Sequence, residues 1–325
     1  MPRALFLDGP KGPAAIRDFD RDALPDGDVT IRVAYSSLNY KDGLAVTGKG
    51  KIVRGAFPFV PGIDLAGTVE TSESPDFAPG DAVVLTGWGT GENRWGGFAT
   101  HARASAAHLV RLPDGLSLFE AMALGTAGFT AMLAVLALDH AGYPDDAGNV
   151  LVTGASGGVG SVAVHLLARA GHRVVASSGK DPAYLKRLGA ADVIGRDALG
   201  AGTHRPLEAS RWGGAVDTVG GATLAALLAS MQTRTSVAAC GNAQSPDLVT
   251  TVFPFILRGV NLLGIDSNTC PASLRQQAWQ ALAERVDRDL LASLATTIRL
   301  DDVPRWAETI TQGQVQGRVV VRVDD

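Results

Sequence analysis

Four glycines within seven residues, Gly154-Ala155-Ser156-Gly157-Gly158-Val159-Gly160, follow the apolar run Asn149–Thr153 and precede a helix-like stretch from Ser161 to Ala170. Glycine lets a backbone approach a phosphate without a Cβ in the way, and the free N–H groups at a helix start attract the anion. In a strand–turn–helix context this arrangement predicts a dinucleotide pyrophosphate site on Ser156, Gly157, Gly158, Val159, Gly160 and Ser161; its plainer alternative is a tight βα turn without ligand. About twenty residues on, where an NAD enzyme usually offers a carboxylate to the ribose 2′-hydroxyl, the chain carries Ser177-Ser178-Gly179-Lys180. A hydroxyl and an ammonium can hold a 2′-phosphate that a carboxylate would repel, so the expected cofactor is NADPH. Asp181 argues the other way unless it caps a helix ahead of Pro182.

Metal and thiol chemistry are poorly provided for. With only Cys240 and Cys270, neither a four-cysteine zinc site nor a disulfide framework can be built. The six histidines show no spacing that puts two on one helix face beside a carboxylate, and no catalytic zinc is expected. Cys240 ends an apolar run, the setting of a small buried residue more than of a nucleophile.

These residues need a sheet to place them. From residue 3 to about 120, short β-rich runs (Val29 to Tyr35, Ala66 to Thr71, Ala82 to Thr86) are separated by Gly, Pro and Asp, as in a small barrel-like domain. From about 123, helical patterns alternate with apolar strands at 149–153, 173–176, 192–194, 215–219, 235–239 and 260–265, which predicts right-handed crossovers and a doubly wound parallel sheet. A helix over Val303–Thr311 and a strand over Arg318–Val323 should return to the first domain. The predicted division is 1–122, 123–289 and 290–325.

Composition agrees with this plan. The 325 residues are 46% hydrophobic, enough for two cores, and a net charge of −4 lacks the basic excess of a nucleic-acid binder. No apolar run is expected to reach the roughly twenty residues that span a bilayer, and Asp8 comes too early for a signal peptide. A cytoplasmic enzyme with a small-molecule substrate, without nucleic-acid or membrane partners, is the expectation.

Particular segments then narrow the reading. Pro58-Phe59-Val60-Pro61-Gly62-Ile63-Asp64-Leu65-Ala66-Gly67-Thr68-Val69 and Pro79-Gly80-Asp81-Ala82-Val83 resemble the punctuation of a GroES-like domain in the medium-chain dehydrogenase/reductase superfamily. Zinc-dependent members carry Gly-His-Glu where this chain has Gly62-Ile63-Asp64, which points to the zinc-free quinone-reductase branch. Within it, Ser36 to Asp42, Thr47 to Arg54, Leu85 to Gly89, Trp95 to Gly97, Gly125 to Met132 and Pro254 to Gly259 closely resemble the acrylyl-CoA reductase subfamily, nearly end to end. The fold implied is a GroES-like β-rich barrel plus a Rossmann doubly wound parallel sheet; the activity implied is NADPH-dependent reduction of a short enoyl thioester, and a homodimer paired along strand 260–265 comes with it. An NADPH reductase of quinones, enones or enals is the alternative.

Such a reduction leaves an enolate whose oxygen needs a donor and whose α-carbon needs a proton. A phenol keeps its proton at neutral pH, so Tyr40 is the candidate donor, and the resemblance puts its ring by the nicotinamide; a packed loop tyrosine is the alternative. Asn39 and Asp42 could orient it, or Asp42 could cap a helix. The resemblance adds Gly43, Thr130 and Ile256 to the cofactor contacts. The rule that ligands lie beyond strand ends adds Arg196, Gly241, Asn242 and Ser267. Lys41, Lys49, Lys51 and Arg54 concentrate positive charge that would suit CoA phosphates or form a solvated loop; Arg258 could reach a phosphate or pair with a surface carboxylate.

Overall fold

A computed structural model describes residues 1–144, 148–199 and 205–323. The chain divides into two compact units, Met1–Thr126 with Ser267–Asp325, and Ala127–Asp266. The first begins with an antiparallel hairpin, β1 (Arg3–Leu7) and β2 (Ala14–Asp18). Next come β3 (Val29–Ser37), helix α1 (Tyr40–Val46), β4 (Asp64–Ser72), β5 (Ala82–Thr86), β6 (His101–Ala104) and β7 (Val110–Arg111). Alternation of Val29, Ile31 and Val33 with more polar neighbours gives β3 one buried face, and these three join Leu65, Val83 and Phe98 in the core.

The helical stretch α2 (Leu118–Ala141) is interrupted at Gly125, whose φ of 53° and ψ of −156° are not helical. The unit boundary falls just after this break. At 24 residues α2 is long and apolar enough, by length and composition, to cross a membrane, which corrects the expectation that no apolar run reaches that length. Interspersed Gly and Thr hid it from a search for an uninterrupted run. Most of its apolar window, 83%, is buried within the protein, as in a core helix.

The second unit alternates strands and helices. They are β8 (Asn149–Val152), α3 (Gly158–Arg169), β9 (Val174–Ser177), α4 (Pro182–Arg187), β10 (Asp192–Ile194), β11 (Trp212–Asp217), α5 (Gly221–Ala229), β12 (Ser236–Ala239), α6 (Phe253–Arg258) and β13 (Asn261–Gly264). Among the described residues the strands form a parallel sheet in the order β10-β9-β8-β11-β12-β13, the doubly wound dinucleotide-binding order. Burial on both faces explains why Val150, Leu151, Val174, Ala215 and Val237 read as continuous apolar runs.

The chain re-enters the first unit at Ser267, earlier than the predicted return at 290. Helix α7 (Ala272–Arg285) carries the reason. Arg275, 2% exposed, donates to the Thr86 carbonyl at 2.7 Å, the Thr86 hydroxyl at 3.0 Å and the Ser267 and Asn268 carbonyls at 3.2 and 3.3 Å. Then follow α8 (Arg288–Leu294), β14 (Ala295–Arg299), α9 (Val303–Thr311) and β15 (Arg318–Arg322). The order β14-β15-β3-β4-β5-β7, with β6 also on β3, makes a mostly antiparallel sheet. Pairing of Val320 with Ser37 and of Ser36 with Leu65 brings Arg318, Asn39 and Asp64 to one place.

Candidate functional site

Two sets of residues, one in each unit, carry the candidate chemistry. In the second unit the turn leaving β8 is tight: Gly154 has φ 58°, and the Gly157 amide donates to its carbonyl at 2.9 Å. A Cβ on Gly160 would lie 2.3 Å from the Gly154 carbonyl oxygen, so only glycine lets α3 start so close to the strand. At Gly157 a Cβ would meet one atom, the Gly154 carbonyl oxygen at 3.3 Å, and the first N–H groups of α3 have no intrahelical acceptor. Close packing at Gly160 and free N–H groups at the helix start are what a pyrophosphate requires, so these residues fit a dinucleotide.

The end of β9 supplies the second part. The Ser178 hydroxyl donates to Ser156 Oγ at 2.9 Å and accepts from the Lys180 amide at 3.0 Å, while the Ser178 amide reaches the Ile194 carbonyl at 3.0 Å. That bond draws in the chain after β10: a Cβ on Gly179 would come 3.2 Å from Arg196 Nε. Burial, and then the Arg196 charge, lower the Lys180 pKa. Lys180 and Arg196 bring two cations to this end of the sheet, which suits a phosphate. Asp181 caps α4, accepting from the Ala183 amide at 2.9 Å.

Other predicted contacts fall at different places. Gly241 passes under the Thr218 carbonyl, where a Cβ would meet its oxygen at 2.2 Å, and Asn242 is exposed beside it. Thr130 is buried in α2 and Ile256 is 67% exposed on α6. Ser267 gives its carbonyl to Arg275. Gly43 faces α9, where a Cβ would strike the Ile310 side chain at 2.5 Å; helix packing accounts for that glycine without a cofactor. Arg258 reaches neither a phosphate nor a carboxylate site. Its guanidinium donates to the carbonyls of Ala229 at 3.0 Å, Met231 at 2.9 Å and Glu208 at 2.5 Å, because the C-terminus of α6 ends over three backbone acceptors.

The basic segment is largely compensated. Lys41 pairs with buried Glu92 at 2.7 Å, Arg54 approaches the same carboxylate at 3.8 Å, and Lys49 meets Glu308 at 2.5 Å. Lys51 is exposed and has no ion pair among the described residues. Cys240 is no nucleophile, since burial, and then Asp217, push its thiol up to about 12.

In the first unit Tyr40 opens α1 with its side chain half exposed. Asn39 and Asp42 form a capping box around it, the Asn39 amide donating to Asp42 Oδ2 at 2.8 Å. Asp42 also accepts from the Ile63 amide at 2.8 Å. Burial, and then the neighbouring Asp64 charge, raise its pKa to about 7. Asp64, fully buried at the start of β4, was missed in the sequence; its place behind Ile63 gave the only signal.

The parallel sheet, the glycine turn and the cation pair define a dinucleotide-binding protein of the Rossmann class. Comparison with known proteins is more specific. Residues 25–114 match the alcohol dehydrogenase GroES-like domain and residues 158–287 the zinc-binding dehydrogenase domain. The acrylyl-CoA reductase AcuI of Ruegeria pomeroyi is 50% identical over 97% of this chain and 96% of its own length. The yhdH oxidoreductase of Salmonella enterica, solved in complex with NADP, is 50% identical over all of both chains, with a TM-score of 0.96. The Bacillus subtilis protein yhfP, solved with NAD bound, is 44% identical over 99% of both, with a TM-score of 0.94. The chain belongs to the medium-chain dehydrogenase/reductase superfamily, in the quinone-oxidoreductase branch that contains the acrylyl-CoA reductases. The zinc in the second domain's description finds no counterpart here: among the described residues no group of three or more His, Cys, Asp or Glu is placed to hold a metal ion.

Proposed function

We propose that this protein is an NADPH-dependent reductase of the α,β-double bond of a short enoyl thioester, acrylyl-CoA to propionyl-CoA, working without zinc. The observation that carries the reading is end-to-end similarity to an acrylyl-CoA reductase at 50% identity. The Ser156, Ser178, Lys180 and Arg196 cluster supports the phosphorylated cofactor. When bound, NADPH supplies a hydride to the β-carbon of the thioester. Backbone N–H groups from Gly157 to Gly160 hold its pyrophosphate, and Lys180 with Arg196 its 2′-phosphate. The Tyr40 phenol donates to the thioester carbonyl oxygen, on which negative charge develops, and Asn39 and Asp42 fix the helix start that carries it. A proton added at the α-carbon completes the reduction.

A second reading, reduction of a quinone, enone or enal, is favoured by one observation: Lys41 and Lys49, two of the four cations offered to CoA phosphates, are already paired with Glu92 and Glu308. Following NADPH consumption with acrylyl-CoA, acrylate, acrolein and a quinone in parallel separates the two. Turnover should be fastest on acrylyl-CoA; fast quinone reduction with none of the CoA ester would overturn the leading reading. Tyr40→Phe should lower kcat about a hundredfold while NADPH affinity holds, the loss expected for one donor to a developing oxyanion. An unchanged kcat would remove Tyr40 from the reaction.

The assembly proposed is a homodimer joined along β13. This strand ends the parallel sheet, and Leu262 on it and Val252, Phe253, Ile256 and Leu257 nearby are exposed, an apolar edge that pairing would cover. Light scattering should give the mass of two chains, reduced to one by Leu262→Asp; a single-chain mass for the unaltered protein would exclude the dimer. Both cysteines are free, which suits the reducing cytoplasm proposed as its compartment.

A further inference from the structure

The Tyr40 side chain is 54% exposed, and among the described residues no hydrogen bond or ring contact holds its phenol. Its aim therefore depends on the backbone at the start of α1. That backbone is held by Asn39 and Asp42, and Asn39 is in turn held from below: its Nδ2 donates to Asp64 Oδ2 at 2.8 Å and its Oδ1 accepts from Arg318 Nη1 at 3.0 Å.

Asp64 gathers more than Asn39. It accepts from Ser37 Oγ at 2.5 Å and from the Thr126 amide at 2.9 Å, and the Thr126 hydroxyl donates to its other oxygen. Thr126 carries the first N–H after the break at Gly125, so the carboxylate caps the resumed helix from a distant strand, where a negative charge is favourable. Arg318 closes the group, donating to Ser37 Oγ at 3.1 Å and to the Ala123 carbonyl at 3.0 Å. A carboxylate buried with this many donors is positioned far more tightly than a cap alone requires.

Resting on the reading of Tyr40 as hydrogen-bond donor to the thioester carbonyl, we propose that Asp64 is a positioning residue of the reaction. By holding Asn39 and Thr126 on one carboxylate it sets the start of α1, and with it the Tyr40 phenol, relative to the Gly125 break. Asp64→Asn keeps the shape but points an N–H at donors that need an acceptor. Thr126→Val is milder, removing one hydroxyl and leaving the amide bond in place.

The test is a double-mutant cycle with Tyr40→Phe, measuring kcat and KM for acrylyl-CoA and Kd for NADPH. Asp64→Asn should lower kcat about tenfold with NADPH Kd changed less than twofold, and should add nothing in the Tyr40→Phe background. Thr126→Val should follow the same pattern with about a threefold loss, and it carries the cycle alone if Asp64→Asn does not fold. Losses that multiply with that of Tyr40→Phe would overturn the proposal, since a purely structural role acts regardless of the phenol. So would kcat within twofold of wild type in both variants. If Tyr40→Phe lowers kcat and these variants do not, only the positioning role falls; an active Tyr40→Phe enzyme removes the donor reading and the positioning role together.

Discussion

Lys180→Ala is expected to weaken NADPH about ten- to fiftyfold and to leave NADH within about threefold. A hydrogen bond to a charged group contributes roughly 1.5–3 kcal/mol, and each 1.4 kcal/mol is tenfold in affinity. Arg196 stays in place as the second cation, which keeps the loss in the lower part of that range. The asymmetry between the two cofactors is the decisive part. Without a phosphate, burial and Arg196 already disfavour the charged ammonium, so removing it relieves repulsion and takes nothing from NADH. Titrating both nucleotides by fluorescence measures the two constants directly, and equal weakening would show that Lys180 serves the dinucleotide as a whole and not its 2′-phosphate. The comparison has content because a relative 44% identical was solved with NAD bound.

What could be read without coordinates was local. A glycine turn declares itself because strand, turn and helix are consecutive, and Gly154 and Gly160 form the tight strand-to-helix turn that this order implies. Both cations were legible as residues following strand ends, Lys180 after β9 and Arg196 after β10; what needed the structure was the Ser178 amide bond to the Ile194 carbonyl that draws the two ends together. Residues whose role depends on distant partners were left open or missed. Arg258, open to a phosphate or a surface carboxylate, meets backbone carbonyls, and Lys49 and Arg54, open to CoA phosphates or a solvated loop, lie beside carboxylates far along the chain. Arg275 and Arg318 gave no signal, and Asp64 only its place in Gly62-Ile63-Asp64, because a charged residue in a sequence carries no mark of burial. The boundary error has the same origin, since a helix pattern shows its apolar face but not which core receives it.

Gly125→Ala should cost about 3–5 kcal/mol of stability, and the reason joins the two kinds of legibility. The glycine is visible in the sequence, but its necessity comes from Asp64. At φ 53° and ψ −156° the backbone lies near a region only glycine populates freely, which alone costs of order 1–3 kcal/mol for another residue. A Cβ built there would also lie 2.5 Å from Asp64 Oδ2 and 2.7 Å from both Arg318 Nη2 and Ser37 Oγ. None of the three can retreat without breaking a buried charge-assisted hydrogen bond, a further loss of about 1.5–3 kcal/mol. At roughly 2–4 °C per kcal/mol for a unit of this size, thermal unfolding should fall by about 10 °C. Variant protein that still folds should bind NADPH nearly as well, because the turn at Gly154–Gly160 is untouched, but should turn over slowly, because displacing Asp64 disturbs Asn39. A melting point lowered by less than about 2 °C would mean that the carboxylate network yields easily and cannot hold Tyr40 in place.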